Sequence, residues 1–130
     1  ATPLRKPEVD DVPDRAAIEA LFAIYLDGVY ESSADNFLKI FHPAAHLYSL
    51  DADGKVADWP RDHWLDMVRK RTSPKSQGHP RHDRIVHIPA SAFAKVECAA
   101  PPRFLVDYLS LLKTDEGWRV IAKVFKAETR

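Results

Sequence analysis

The spacing of hydrophobic positions predicts two helices at the start of the chain. The first follows an acidic capping residue and carries apolar side chains at helical intervals: Ile18, Leu21, Phe22, Tyr25, Leu26 and Val29. A second, shorter helix is expected to begin after Ser32 or Ser33 and to run through Phe41. It ends there because the residue before Pro43 resists helical backbone.

Turn signals and extended apolar runs divide the rest of the chain. Residues 44–50 form a predicted strand, and a turn at 51–54 leads into a short return strand through Val56. A third helix begins near Pro60 and turns four apolar residues inward: Trp64, Leu65, Met67 and Val68. After a loop at 72–80, three further extended segments are predicted at 82–88, 92–100 and 103–126.

The last of these segments gives the strongest hairpin signal. Two apolar runs flank the string TDEG, and Gly117 can adopt the positive φ that a tight turn needs. Pairing through this turn places Asp107 and Lys123 on one face, surrounded by Leu109, Leu111, Ile121 and Phe125. A carboxylate and an ammonium on an apolar face are costly to bury unless they meet each other or a ligand. We therefore expect the functional site on this face.

Helices followed by a run of antiparallel strands predict an α+β fold. Three N-terminal helices are expected to pack on a strongly curved, mainly antiparallel sheet, which forms a cone with an interior pocket. The predicted organisation is an N-terminal arm at 1–11, a single domain at 12–127 and a tail at 128–130.

Composition narrows the class of protein. Lys plus Arg equals Asp plus Glu at 19 each, so the net charge favours neither nucleic acid nor a membrane surface as a partner. The basic stretch 69–84 has no aromatic residue for stacking on bases, and its cations suit a helix end and a solvated loop. One cysteine, no signal peptide pattern and no membrane-length apolar run predict a soluble protein of the cytoplasm.

Two strings resemble a known superfamily. They are AIEALFAIYLDGVYESSADNFLKIFHPAAHLYS in the first half and DYLSLLKTDEGWRVIAKVFK at the end. With the order of elements, they resemble the nuclear transport factor 2-like superfamily, which includes ketosteroid isomerase, scytalone dehydratase and polyketide cyclases. Within it, the chain looks most like the branch named putative lumazine-binding proteins. Because this fold hosts enzymes, binding modules and transport factors, the resemblance implies a fold more firmly than an activity.

The resemblance also implies site positions. Tyr25 falls at the position of the oxyanion-hole tyrosine of ketosteroid isomerase. Asp107 falls at the position of that enzyme's aspartic acid that stays protonated at neutral pH, which is a well-known case of a neutral buried carboxyl group. The general base position falls on Ser49, whose hydroxyl cannot take a proton in that way. His46 or His63 can replace the missing base because imidazole titrates near neutral pH.

The same comparison places Lys95 and Glu97 toward the cavity together with Asp107 and Lys123. Strand alternation then turns a set of apolar residues onto the outer face of the sheet: Ala94, Val96, Cys98, Tyr108, Leu112, Val120, Ala122 and Val124. Because so many apolar side chains are not normally left to water, we expect a homodimer that packs sheet to sheet.

Structural roles explain the same residues. Tyr25 lies on an apolar helical stripe, where a tyrosine is usually a core ring, and Asp107 with Lys123 can be a cross-strand ion pair. The six histidines show no spacing that is typical of metal ligands, so we expect no metal site and no cofactor.

Three functional hypotheses follow. The first is a small-molecule-binding protein with a half-polar pocket, suited to a flat ring ligand and formed by Tyr25, Trp64, Asp107, Lys123 and Phe125. The second is a lyase, cyclase or isomerase in which Tyr25 donates a proton, Asp107 is the anchor or base, and His46 assists. The third is a non-enzymatic dimeric interaction module. The identity of the ligand and the reaction are not predicted.

Overall fold

Three helices lie before residue 71 in the computed structural model, which describes residues 12–87, 93–100 and 103–129. They are α1 (Val12–Glu31), α2 (Ala34–Ile40) and α3 (Arg61–Lys70). None of the helices in these ranges is both long and apolar enough to cross a membrane. The expected arm at 1–11 lies outside the described residues.

In the part of the chain that the structure describes, six strands form one mixed sheet. They are β1 (Phe41–Leu50), β2 (Val56–Pro60), β3 (Asp83–His87), β4 (Phe93–Ala100), β5 (Arg103–Thr114) and β6 (Gly117–Thr129). Their order is β2-β1-β6-β5-β4-β3, in which β1 and β6 are parallel and all other neighbours are antiparallel. Helix α1 packs on β4 and β6, while α2 and α3 pack on β1. The predicted α+β architecture, with three helices packed on a mainly antiparallel sheet, is confirmed.

Helices α1 and α2 pack closely where the backbone of Gly28 meets the ring of Phe37. Gly28 lies against Phe37, and a Cβ at this glycine would stand 2.8 Å from Phe37 Cε1, well inside van der Waals contact. The chain then turns at Ser32, which has a positive φ of 49°, and Ser33 caps α2 by accepting a hydrogen bond from Asn36 N. The predicted serine cap is confirmed, and the glycine in α1 has a packing reason.

Strand β1 begins earlier than predicted. Phe41 was expected to end the second helix, but its backbone is extended and it pairs with Val120 of β6. The register then shifts before His46, so the segment around Pro43 leaves the ladder and rejoins it. Pairing with β6 outweighs the helical tendency of the residues before the proline.

The predicted hairpin is present as β5 and β6. Thr114 pairs with Gly117, whose φ is +109°, and the ladder continues to the pair of Arg103 with Thr129. A bulge at Ser110/Leu111 shifts the alternation between the two strands. For this reason Val120, which was expected on the outer face, is buried in the core. The strand also extends into the segment 128–130 that we expected to be a tail.

The face assigned to β4 was wrong. Ala94, Val96 and Cys98 are buried in the core, so Lys95 and Glu97 alternate onto the opposite face of the sheet. The physical reason is the register with β5, because Val96 pairs directly with Asp107 and paired residues share a face.

Candidate functional site

A tyrosine from α1 meets an aspartate from the central hairpin inside the protein. The Tyr25 hydroxyl donates a hydrogen bond to Asp107 Oδ2, and both side chains are completely buried. Burial raises the pKa of Tyr25 well above its ordinary value, and the nearby charge of Asp107 raises it further. The phenol therefore stays protonated and acts as a donor.

Lys123 stands beside this pair. Its Nζ lies 3.7 Å from Asp107 Oδ2, an ion-pair distance that is longer than a hydrogen bond. Only 5% of the residue is exposed. Burial lowers the pKa of Lys123, while the carboxylate of Asp107 acts in the opposite direction. The structure thus holds an ammonium group under strong desolvation with a single anionic neighbour among the described residues.

Aromatic rings surround the Lys123 ammonium. Its Nζ lies 4.8 Å from the ring centroid of Trp64, 5.1 Å from that of Phe125 and 5.4 Å from that of Tyr25. These distances are typical of cation–π contacts, which are strongest where water is excluded. All five residues predicted as a ligand-binding set (Tyr25, Trp64, Asp107, Lys123 and Phe125) therefore meet at one place. Their role in binding stays a prediction.

Asp107 has one oxygen in use and one without a partner. Cys98 Sγ lies 3.6 Å from Oδ2, so the thiol, the phenol and the ammonium all address the same oxygen. Oδ1 is buried and has no hydrogen-bond partner within the ranges that the structure describes. Burial raises the pKa of the Cys98 thiol and the charge of Asp107 adds to this, so Cys98 is a neutral weak donor. We call Tyr25, Cys98, Asp107 and Lys123 the Asp107 cluster.

The sequence did not predict a role for Cys98 in the cluster or for Arg71 near it. Cys98 was placed on the outer face, and Arg71 was explained as a cation of a helix end. Arg71 follows α3, and burial lowers the pKa of its guanidinium although much of the side chain is exposed. The negative charge of Asp107 acts in the opposite direction on that pKa. No sequence signal sets the orientation of α3, on which this approach depends.

The predicted catalytic His46 is not brought to the cluster. His46 pairs with Ala122, whereas the next pair, Leu47 with Lys123, faces the core. The imidazole therefore lies on the other face of the sheet, where Nδ1 contacts Asp58 Oδ1 at 2.7 Å. Alternation along β1 explains this placement, which the sequence alone did not fix because the parallel register with β6 was unknown.

Two further polar candidates lie on α3 and β1. His63 is exposed on α3, with its ring perpendicular to that of Trp59. Ser49, at the position of the missing base, is half-buried near the end of β1 and pairs with Ala57 of β2.

Other candidate sites lie elsewhere on the surface. A cleft of about 740 Å³ lies between α2, the starts of β1 and α3, and the β5–β6 turn. A second, of about 280 Å³, lies where β3, β4 and β5 meet near Arg81. Neither is lined by a member of the Asp107 cluster. Across residues 12–87, 93–100 and 103–129, no three His, Cys, Asp or Glu side chains are grouped as metal ligands.

Comparison with known families identifies the fold group. Residues 13–126 match the profile of the family described as "Putative lumazine-binding". The chain belongs to this family. The resemblance found in the two sequence strings is thereby confirmed.

Solved structures share the fold. An NTF2-like protein of unknown function from Methylobacillus flagellatus superimposes with a TM-score of 0.78 at 23% identity, covering 95% of this chain and 100% of the other. A ketosteroid isomerase-like protein from Erwinia carotovora atroseptica gives a TM-score of 0.64 at 14% identity, covering 88% of this chain and 96% of the other. At identities this low, the likeness shows that the proteins share a fold, and it carries no argument about activity.

A curated relative carries an enzyme name. The Aldolase FrzH from a Cladobotryum species is 26% identical over 117 residues, which cover 88% of this chain and 91% of the relative.

Proposed function

We propose that the protein binds a small organic molecule at the Asp107 cluster. The observation that carries this proposal is that one ammonium, that of Lys123, lies beside the carboxylate of Asp107 and is lined by three aromatic rings, one of which is the phenol that bonds to the same carboxylate. Apolar walls with a few convergent polar groups are typical of small-molecule sites. The family description, "Putative lumazine-binding", also supports a role in binding a small molecule.

The open oxygen of Asp107 gives the ligand a defined partner. A buried acceptor without a hydrogen bond costs about 1–3 kcal/mol, and Oδ1 is such an acceptor among the described residues. A ligand that donates a hydrogen bond to Oδ1 recovers this cost. Flat heteroaromatic rings with an N–H group can do so while they stack on Trp64 or Phe125.

Ligand-induced stabilisation tests the binding proposal. We would screen flat ring compounds, flavin precursors included, by thermal shift with the wild type, Asp107→Asn and Asp66→Asn. Asp66 is a matched control because its carboxylate pairs with Arg69 on the exposed side of α3. A ligand of the cluster should stabilise the wild type and Asp66→Asn, and should lose most of its effect on Asp107→Asn. Equal stabilisation of all three proteins, or none by any compound, contradicts the proposal.

A second candidate is catalysis by general acid and base, favoured by the similarity to an aldolase. In this scheme Tyr25 donates a proton and Asp107 is the base or polar anchor, as in a lyase, cyclase or isomerase. His46 has no part in it, because its imidazole lies on the opposite face with Asp58. Turnover of a candidate substrate should fall in Tyr25→Phe, which keeps the ring, and unchanged turnover counts against catalysis.

A homodimer stays part of the proposal, with a smaller interface than the sequence suggested. Tyr108, Leu112 and Val124 remain on the outer face with 36%, 54% and 50% exposure, whereas four of the eight predicted apolar residues are buried in the core. Sedimentation of the wild type and Val124→Lys at micromolar concentration tests this. A monomeric wild type refutes the dimer, and with it the dimeric interaction module as a function.

A further inference from the structure

Lys123 is chemically unlike the exposed lysines of the chain. Lys75, for example, is exposed, and its Nζ forms a 3.0 Å contact with Glu31 Oε1 that raises its pKa. Lys123 is buried, its Nζ has no oxygen within hydrogen-bond distance among the described residues, and three rings line its approach. A desolvated primary amine of this kind is the usual nucleophile toward carbonyl compounds.

We propose that Lys123 Nζ forms an imine with an aldehyde or ketone group of the ligand, with Asp107 as the proton acceptor and donor. This inference rests on the proposed ligand site and goes beyond it, because it assigns a covalent step and a substrate class. The aromatic rings around Nζ favour carbonyl compounds that carry a flat or hydrophobic group.

The protons of the step balance within the cluster. Asp107 takes one proton from the ammonium, and the free amine attacks the carbonyl carbon, so that an N–C bond forms. The former carbonyl oxygen gains a proton from the new ammonium and becomes the hydroxyl of a carbinolamine. Protonated Asp107 then returns its proton to this hydroxyl, the C–O bond breaks, and water leaves. The products are a protonated imine on Lys123 and the Asp107 carboxylate as its counter-ion.

The geometry supports each transfer. Asp107 Oδ2 lies 3.7 Å from Nζ, so after a small side-chain movement it can accept the proton and later return it to the hydroxyl, while Oδ1 is free to accept a hydrogen bond from that hydroxyl. Tyr25 donates to Oδ2 and stabilises the carboxylate whenever it forms. Burial lowers the pKa of Lys123, and each unit of lowering raises the neutral amine fraction about tenfold near pH 7. The Lys123 side chain is only 7% exposed, so small probes should react faster than large ones.

Reductive trapping tests the imine. The protein is incubated with benzaldehyde and sodium cyanoborohydride near neutral pH, and the labelled residues are located by peptide mass mapping. The label adds the mass of the probe, less one water lost on imine formation, plus two hydrogens from the reduction. Lys123 should be labelled faster than Lys75, because burial lowers the pKa of Lys123 while Glu31 raises that of Lys75. Lys75→Arg should leave the labelling of Lys123 unchanged, and Lys123→Met should abolish it.

Two further measurements separate the possible failures. Because Lys123→Met leaves a buried carboxylate, the double variant Lys123→Met/Asp107→Asn provides a second unlabelled control. Benzyl alcohol, which cannot form an imine, is tested in parallel by thermal shift. Stabilisation by benzyl alcohol without trapping at Lys123 overturns the imine and leaves the binding site standing. Labelling confined to exposed lysines, with no stabilisation by either compound, overturns both proposals.

Discussion

Removing the charge of Lys123 is the most direct probe of the buried ion pair. Lys123→Met keeps the length and most of the volume of the side chain, and its sulfur can contact the same rings. What it removes is the cation opposite Asp107. The carboxylate then lies fully buried, with only neutral donors from Tyr25 and Cys98.

The cost follows from burial. Deleting one partner of a buried ion pair costs about 3–5 kcal/mol, because the other charge is left without compensation. Asp107 is 0% exposed, so water does not screen it. The hydroxyl of Tyr25 still donates to Oδ2 and limits the loss, so we expect Lys123→Met to lower the free energy of unfolding by about 3 kcal/mol.

Equilibrium unfolding in urea at neutral pH measures this cost. Asp107→Asn and the double variant complete a double-mutant cycle, in which we expect a coupling energy of about 2 kcal/mol. The double variant should be more stable than Lys123→Met alone, because no uncompensated charge remains. Lys75→Met is the matched control, since it breaks an exposed pair with Glu31 and should not move the unfolding midpoint measurably.

A specific result would refute the reasoning. If Lys123→Met unfolds at the same urea concentration as Lys75→Met, or if the coupling energy is zero, then Asp107 does not carry a buried charge that depends on Lys123. The cluster would then be a neutral hydrogen-bonded core, and the binding proposal would lose its charged anchor.

Three further predictions concern the surroundings of the cluster. Gly28→Ala should destabilise the protein by about 1–2 kcal/mol in urea unfolding, because the added Cβ meets the buried ring of Phe37 at 2.8 Å; equal or higher stability would contradict this. Ser33→Ala should lower the free energy of unfolding by about 1 kcal/mol, because it removes the hydrogen bond that caps α2; an unchanged free energy of unfolding would show that the cap does not stabilise the helix. Above pH 9.0 the unfolded chain releases the Cys98 proton while the folded protein keeps it, so Cys98 contributes a loss of stability of about 1.4 kcal/mol per pH unit. Lys123 has a lowered pKa, so its contribution to the free energy of unfolding rises with pH in both the wild type and Cys98→Ala. The difference between the two proteins therefore isolates the contribution of the thiol. If the free energies of unfolding of the two proteins change in parallel above pH 9.0, the prediction for Cys98 is wrong.

The charged pair was predictable only in part. The turn at Gly117 sets the register of β5 and β6 as far as the pair of Leu111 with Val120, and continuing that register would put Asp107 and Lys123 on opposite faces. The bulge at Ser110/Leu111, which the sequence did not predict, brings Lys123 onto the face of Asp107 by pairing it with Leu109. The contact with Tyr25 came from the family resemblance, since no periodicity links residue 25 to residue 107. It is present in the structure.

The errors arose where pairing between distant segments decides the face. In β4 the apolar residues at 94, 96 and 98 alternate with charges at 95 and 97, which by itself indicates that the apolar side faces the core. The family resemblance instead implies that Lys95 and Glu97 face the cavity, which is the reverse of the observed arrangement. The position of His46 depends on the parallel pairing of β1 with β6, and strand pairs distant in sequence leave no local signal.

The two proposed uses of the cluster require opposite protonation states of Lys123. Non-covalent binding of a ligand acceptor uses the ammonium, whereas imine formation uses the neutral amine. The pKa of Lys123 is lowered by burial, so the neutral fraction grows as the pH rises, while Tyr25 keeps its proton because its pKa is raised. Between about pH 6 and pH 9, trapping of benzaldehyde should therefore accelerate, and binding of a non-reactive ligand that accepts from the ammonium should weaken. Surface lysines such as Lys75, whose pKa is raised by Glu31, should show a later rise in trapping. If trapping at Lys123 and Lys75 follows the same pH curve, burial gives Lys123 no special reactivity, and the aromatic rings merely shield a structural ion pair.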